Sequence, residues 1–155
     1  MPTLLASIAA SVGLGALIGF IRQWSDQTER GQSNVPDLGG VRTHALWAVL
    51  GCLGAVASRD YVPLAWPAVM LAVAGHLMIL HFTTPASAHP GSTTYAAALL
   101  TVFTGSLVAW GHTQAAVVIA TTTMVLLGLK HPIHALTRRF TADDIRATLQ
   151  FVAVT

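Results

Sequence analysis

Charge is scarce in this sequence. Eight Lys and Arg and six Asp and Glu make up 9% of its 155 residues, against about 25% in a soluble domain. So few polar side chains cannot cover a water-soluble surface, and the 54% that is hydrophobic must face something apolar, for which lipid is the natural medium. Carboxylates are missing from the greasy segments altogether: Asp26, Glu29, Asp37, Asp60, Asp143 and Asp144 all lie outside the apolar runs. Ion and proton pathways through a membrane use an intramembrane carboxylate or a comparable ionisable group, so the composition disfavours an autonomous cation transporter. A single cysteine, Cys52, excludes an internal disulfide and any cysteine metal cluster. No metal-ligand spacing, nucleophile motif or phosphate loop stands out. The expectation is a non-enzyme with no catalytic residues, no metal and no cofactor. The net charge of only +2 gives no reason to expect nucleic acid, whereas basic side chains at a membrane surface account for the basic balance. No Lys or Arg stands in "MPTLL" before the first apolar run, so that run reads as a retained span and not as a secretory signal.

Five apolar stretches are present: Leu4–Ile21, Thr43–Ser58, Tyr61–Phe82, Thr94–Trp110 and Ala115–Leu129. Crossing a bilayer core of roughly 30 Å takes about 20 helical residues. The second, fourth and fifth runs fall short of that, and span only by recruiting polar ends, thinning the bilayer or packing inside a bundle. The fold class is therefore all-α, a polytopic membrane helix bundle of about five transmembrane helices over residues 1–135. Residues 136–155 form a separate unit: Thr141 can cap a helix whose first turn holds Asp143 and Asp144, and Ile145, Leu149 and Val152 repeat on one face. That segment reads as an amphipathic helix at the cytoplasmic surface, or as the start of a sixth span.

Basic residues set the orientation. Arg22, Arg30 and Arg42 lie between the first two runs, and Lys130, Arg138, Arg139 and Arg146 follow the fifth. Arg59 alone lies between the second and third. The positive-inside rule then puts the N-terminus outside and the C-terminus in the cytoplasm. Trp24, Trp47, Trp66 and Trp110 all fall near predicted span ends, where indole rings settle. "RQWSDQTERGQSNVPDLGG", rich in turn residues, is expected to be a cytoplasmic loop, as is "FTTPASAHPGST".

Apolar side chains gain little by leaving lipid for protein, so packing relies on close approach and hydrogen bonds. Ser7, Ser11, Gly15 and Gly19 recur every four residues along the first run, a seam that suits either internal packing or a homodimer. Shorter seams include Gly51–Ala55, Ala68–Ala72 and Ala97–Thr101–Gly105. "GGVRTH", with Gly39, Gly40, Arg42, Thr43 and His44, opens the second run. A helix start already carries partial positive charge and unpaired N–H groups, so an added arginine there, joined by Arg22, makes a candidate contact for an anion, a lipid phosphate or a partner's carboxylate. The plainer reading is that Arg42 anchors the span at the headgroups. His76 is the ionisable side chain well inside a span, with Thr101, Thr121, Thr122 and Thr123 as candidate polar neighbours on other helices. It is a hydrogen-bonded structural histidine, or one with a proton or ligand role; with His44 it offers a remote route to haem. His131 and His134 look interfacial.

"LGALIGFIRQW", followed about twenty residues later by "GGVRTHALWAVLGCLGA", resembles the MgtC/SapB family of bacterial inner-membrane proteins. Leu17-Ile18-Gly19 with Arg22, and Arg42-Thr43-His44-Ala45-Leu46, carry the likeness. It is closest to the MgtC-like half of longer bacterial membrane proteins, in which a second membrane half follows. The family pattern has glutamate where this chain has Ile21, and the longer proteins have it where this chain has Tyr95. The resemblance implies five spans, a link to growth at low magnesium and to virulence, and, for the family's namesake, restraint of the membrane ATP synthase. The functional expectation is a membrane subunit that contacts lipids and another membrane protein or a second copy, and modulates or completes that complex. The rival expectations are a transporter or channel component that shares its pathway with a partner chain, and a haem- or pigment-binding accessory subunit.

Overall fold

A computed structural model of the protein describes residues 3–30, 39–85 and 91–129, and position 150. Among these residues the chain is all-helical, with α1 at Leu4–Arg30, α2 at Val41–Asp60, α3 at Ala65–Thr83, α4 at Ser92–Ala109 and α5 at Thr113–Gly128. The first four contain stretches long and apolar enough to cross a membrane. The fifth has 16 residues, or about 24 Å at 1.5 Å per residue. The amphipathic tail helix expected over 136–155, apart from position 150, the loop acid Asp37, and His131 and His134 lie outside the described residues.

Two boundaries depart from the sequence expectation. The segment after Ile21 is expected as loop, yet α1 continues to Arg30, giving 27 residues and about 40 Å of helix. "RQWSDQTER" holds no Gly or Pro, so nothing in its backbone chemistry stops the helix. The third run is expected to begin at Tyr61, whereas α3 begins at Ala65. Tyr61 and Val62 both donate backbone N–H bonds to the Ala57 carbonyl, which closes α2. Ser58 Oγ donates to the Pro63 carbonyl at 2.6 Å across the same turn. Pro67, in the first turn of α3, sits where a missing N–H costs nothing.

Helix α4 occupies the middle of the bundle, packed against α1, α2 and α5 and touching α3. It is suited to that place because its buried face is small: Ala97, Ala98, Thr101, Gly105, Ser106 and Ala109. In lipid, such side chains let backbones approach closely. The crossing with α2 shows this at atomic scale. A Cβ on Gly51 would run into the Val102 carbonyl, and one on Gly105 into the Ala48 carbonyl. Each helix therefore presents a glycine to the other's backbone. Ser106 Oγ ties the crossing by donating to the Gly51 carbonyl at 3.1 Å or to its own helix at Val102, 3.0 Å, and it accepts from Trp66 Nε1 at 2.7 Å. Trp66, Phe103 and Trp110 cluster here, with ring centroids 5.3–6.4 Å apart.

The α1 seam is internal. Ser7, Ser11, Gly15 and Gly19 are all buried. A Cβ on Gly15 would lie 2.5 Å from the His44 carbonyl oxygen and 2.8 Å from Ala48 Cβ; one on Gly19 would lie 2.8 Å from the Gly40 oxygen and from Val41 Cα. Of the two uses open to this stripe, α2 fills the packing one. Helix α3 is the outlier. It is the least buried of the four long spans, with only Val73 and Leu77 fully inside, against Trp47, Ala98 and Val102.

Candidate functional site

The "GGVRTH" segment forms a latch between the end of α1 and the start of α2. Gly39 takes φ +107°, a left-handed conformation that glycine alone adopts without strain. Arg22, reaching up from α1 and buried, donates from Nη1 to the Gly39 carbonyl. Val41 N–H points at Gln23 Oε1, 3.5 Å away. His44 is fully buried; its Nδ1 faces the Gly40 carbonyl at 3.2 Å, and its ring meets Trp47 edge-on at 5.0 Å. Arg22 and His44, expected as contacts for an anion or partner, are thus built into the helix pair. Arg42 is exposed beside them, and Thr43 is half-buried, with its side chain against Gly39.

The intramembrane polar residues are not brought together. His76 is exposed on the outside of α3. The Thr101 hydroxyl donates to the Ala97 carbonyl at 2.7 Å and that of Thr123 to Ile119 at 2.8 Å, so both are satisfied by their own helices. Thr121 and Thr122 face outward on α5. His44 is fully buried while His76 faces outward, so the chain does not offer both imidazoles to one haem. Among the described residues, no three His, Cys, Asp or Glu side chains converge as a metal site. Arg59, at the opposite end of α2, is paired with Asp60 through Nε–Oδ1 at 2.6 Å and Nη2–Oδ2 at 3.1 Å.

Sequence reasoning misses a second polar cluster. Because α3 leans on α2 and barely meets α4, an open, mostly apolar pocket of about 430 Å³ lies between α3 and α4. His81 and Tyr95 stand at one end, their Nδ1 and hydroxyl 3.2 Å apart and their rings edge-on at 5.7 Å. Tyr95 is noticeable in the sequence as an aromatic where the longer proteins it resembles have glutamate, but its partner is fixed only by how the two helices meet.

A family model of the MgtC family matches residues 8–136, most of the chain. The chain belongs to the MgtC family. Comparison with curated proteins and with solved structures yields no match. Family membership and four apolar spans make this a membrane protein, and the motif that carries the family likeness, Arg22 with Arg42 to Leu46, coincides with the α1–α2 latch.

Proposed function

We propose that this MgtC-family protein is a non-enzymatic subunit of the bacterial inner membrane, with its N-terminus outside and C-terminus cytoplasmic, that binds and modulates or completes another membrane protein. The observation that carries this reading is the outer face of α3. Ala68, Ala72, His76 and Ile79 share one side of the helix at 100° per residue, and all four are exposed. A Cβ on Gly75 would meet nothing. His76 lies seven residues from the last residue of α3, about 10 Å into the span. An ionisable group at that depth is costly in hydrocarbon and marks a contact or pathway, and the small residues around it leave room for a neighbouring helix. Its complement is a carboxylate or another strong acceptor on a transmembrane helix. No apolar run of this chain contains an acid, so a second copy supplies no carboxylate at that depth. A different polypeptide fits best.

Purification from native membranes in mild detergent, with mass spectrometry of the accompanying proteins, tests this. A defined membrane protein is expected to co-purify with the wild type and to be lost with His76→Leu and Ala72→Trp while expression and insertion persist. Arg42→Ala, at an exposed helix start, is expected to weaken the association without affecting insertion. Co-purification that ignores all three substitutions, or recovery of the protein only with itself, would reject the reading.

A further inference from the structure

We infer that the α3–α4 cavity is a binding site for a neutral membrane amphiphile whose head carries carbonyl or hydroxyl oxygens. The volume of about 430 Å³ is that of a small-molecule site, and such sites join apolar walls to a few placed polar groups. The polarity is sorted by depth. Ser92 is the first residue of α4, Tyr95 lies in its first turn, and His81 lies two residues from the end of α3, so all three polar groups sit at the same edge of the bundle. Ala74, Leu77, Met78 and Leu99, about one to two turns deeper, line most of the remainder, and the exposed Phe82 ring flanks His81 at the rim. This gradient matches a molecule held in one leaflet, with its head at the interface and its tail toward the midplane.

The chemistry of the polar end narrows the class. The Tyr95 hydroxyl, bonded to His81 Nδ1, keeps one further role, as donor when the imidazole N–H points at it and as acceptor otherwise, and the Ser92 hydroxyl both donates and accepts; together they suit hydroxyl and carbonyl oxygens. Among the described residues, no Lys or Arg lines the cavity, whereas phosphate recognition relies on such cations. The start of α4 at this edge offers an anion only its partial charge, so with no cation beside it a neutral head fits better than a phosphate. Met78, exposed on α3, borders the same cavity, so the opening faces the surrounding lipid and a ligand enters from the bilayer. The site lies on the side of α3 away from Ala72 and His76 and is independent of any partner bound there.

The full chain in detergent micelles is titrated with dioctanoylglycerol, decylubiquinone and, as the anionic comparison, dioctanoylphosphatidylglycerol, with affinity read from the rise in thermal midpoint. At least one neutral probe is expected to saturate, and which one does separates glycerol-headed from ring-headed ligands. Ala74→Trp, which fills the cavity, should weaken binding at least about tenfold. Tyr95→Phe should weaken it about fivefold, the loss of one hydrogen bond. Met78→Trp, at the exposed rim, gives the same test where Ala74→Trp does not fold. Failure of both neutral probes to saturate, tighter binding of the anionic probe, or affinity unchanged by filling the cavity would overturn the assignment.

Discussion

At the scale of single residues, the glycines are not equivalent, and their differences set the first expectations. Gly51 and Gly105 touch opposing carbonyls, whereas a Cβ on Gly13 would meet nothing within 4 Å. Gly51→Ala and Gly105→Ala should each destabilise the bundle by about 1–3 kcal/mol or more, because a methyl forces the α2–α4 backbones apart. Gly13→Ala should be neutral or stabilising by roughly 0.5–1 kcal/mol through helix propensity. Thermal unfolding of the three variants in detergent, followed by circular dichroism, checks the contrast. Arg22 gives a second expectation. Its guanidinium bonds a backbone carbonyl while buried, so Arg22→Met should cost about 1.5–3 kcal/mol, and Arg22→Lys should recover only part because a lysine lacks the planar fork. Equal midpoints for Arg22→Met and wild type would show that the latch contributes nothing to stability.

At the scale of elements, the α2–α3–α4 junction turns on one hydroxyl. Ser106→Ala removes the acceptor for the Trp66 indole and the donor to Gly51. Interhelical hydrogen bonds of this kind are worth about 0.6–1.7 kcal/mol in a membrane protein, so a modest fall in stability is expected. The clearer readout is a shift in tryptophan emission, since the other three indoles are left in place; an identical spectrum and midpoint would contradict the junction. Much of this level is legible in the sequence. The apolar runs locate all five helices, since burial in lipid demands long uninterrupted apolarity. The four-residue repeat of Ser7, Ser11, Gly15 and Gly19 identifies a packing face. It cannot name the face's partner, because α2 and a second copy are equally apolar in sequence. The extension of α1 to Arg30 is hidden for the opposite reason: polar residues of good helix propensity look like loop when hydropathy is the guide. The His81–Tyr95 pair is illegible because it depends on the slight separation of α3 from α4, a packing detail with no periodic signature.

At the scale of the whole molecule, the bundle consists of a tight α1–α2–α4 core flanked by α5, with a loosely held α3. The core consumes the residues that sequence reasoning offers to a partner, namely the glycine seam, Arg22 and His44, and leaves α3 as the helix with surface to spare. One of its sides carries His76 among small residues; the other lines the cavity at Tyr95. Positive charge is divided by end instead: Arg22 and Arg42 lie at one end of the α1–α2 pair, while Arg59 at the other is paired with Asp60. Under the proposed function, α3 and not the seam of α1 is the helix that meets another membrane protein. Site-specific photo-crosslinking in native membranes tests it most directly, with a photoreactive residue placed in turn at Ala72 on α3, at Leu17 on α1 and at Val118 on α5, all three exposed. One discrete adduct with a different membrane polypeptide is expected from position 72 alone, abolished when His76→Leu is added. An adduct from positions 17 or 118 but not 72, or one composed only of two copies of this chain, would contradict it.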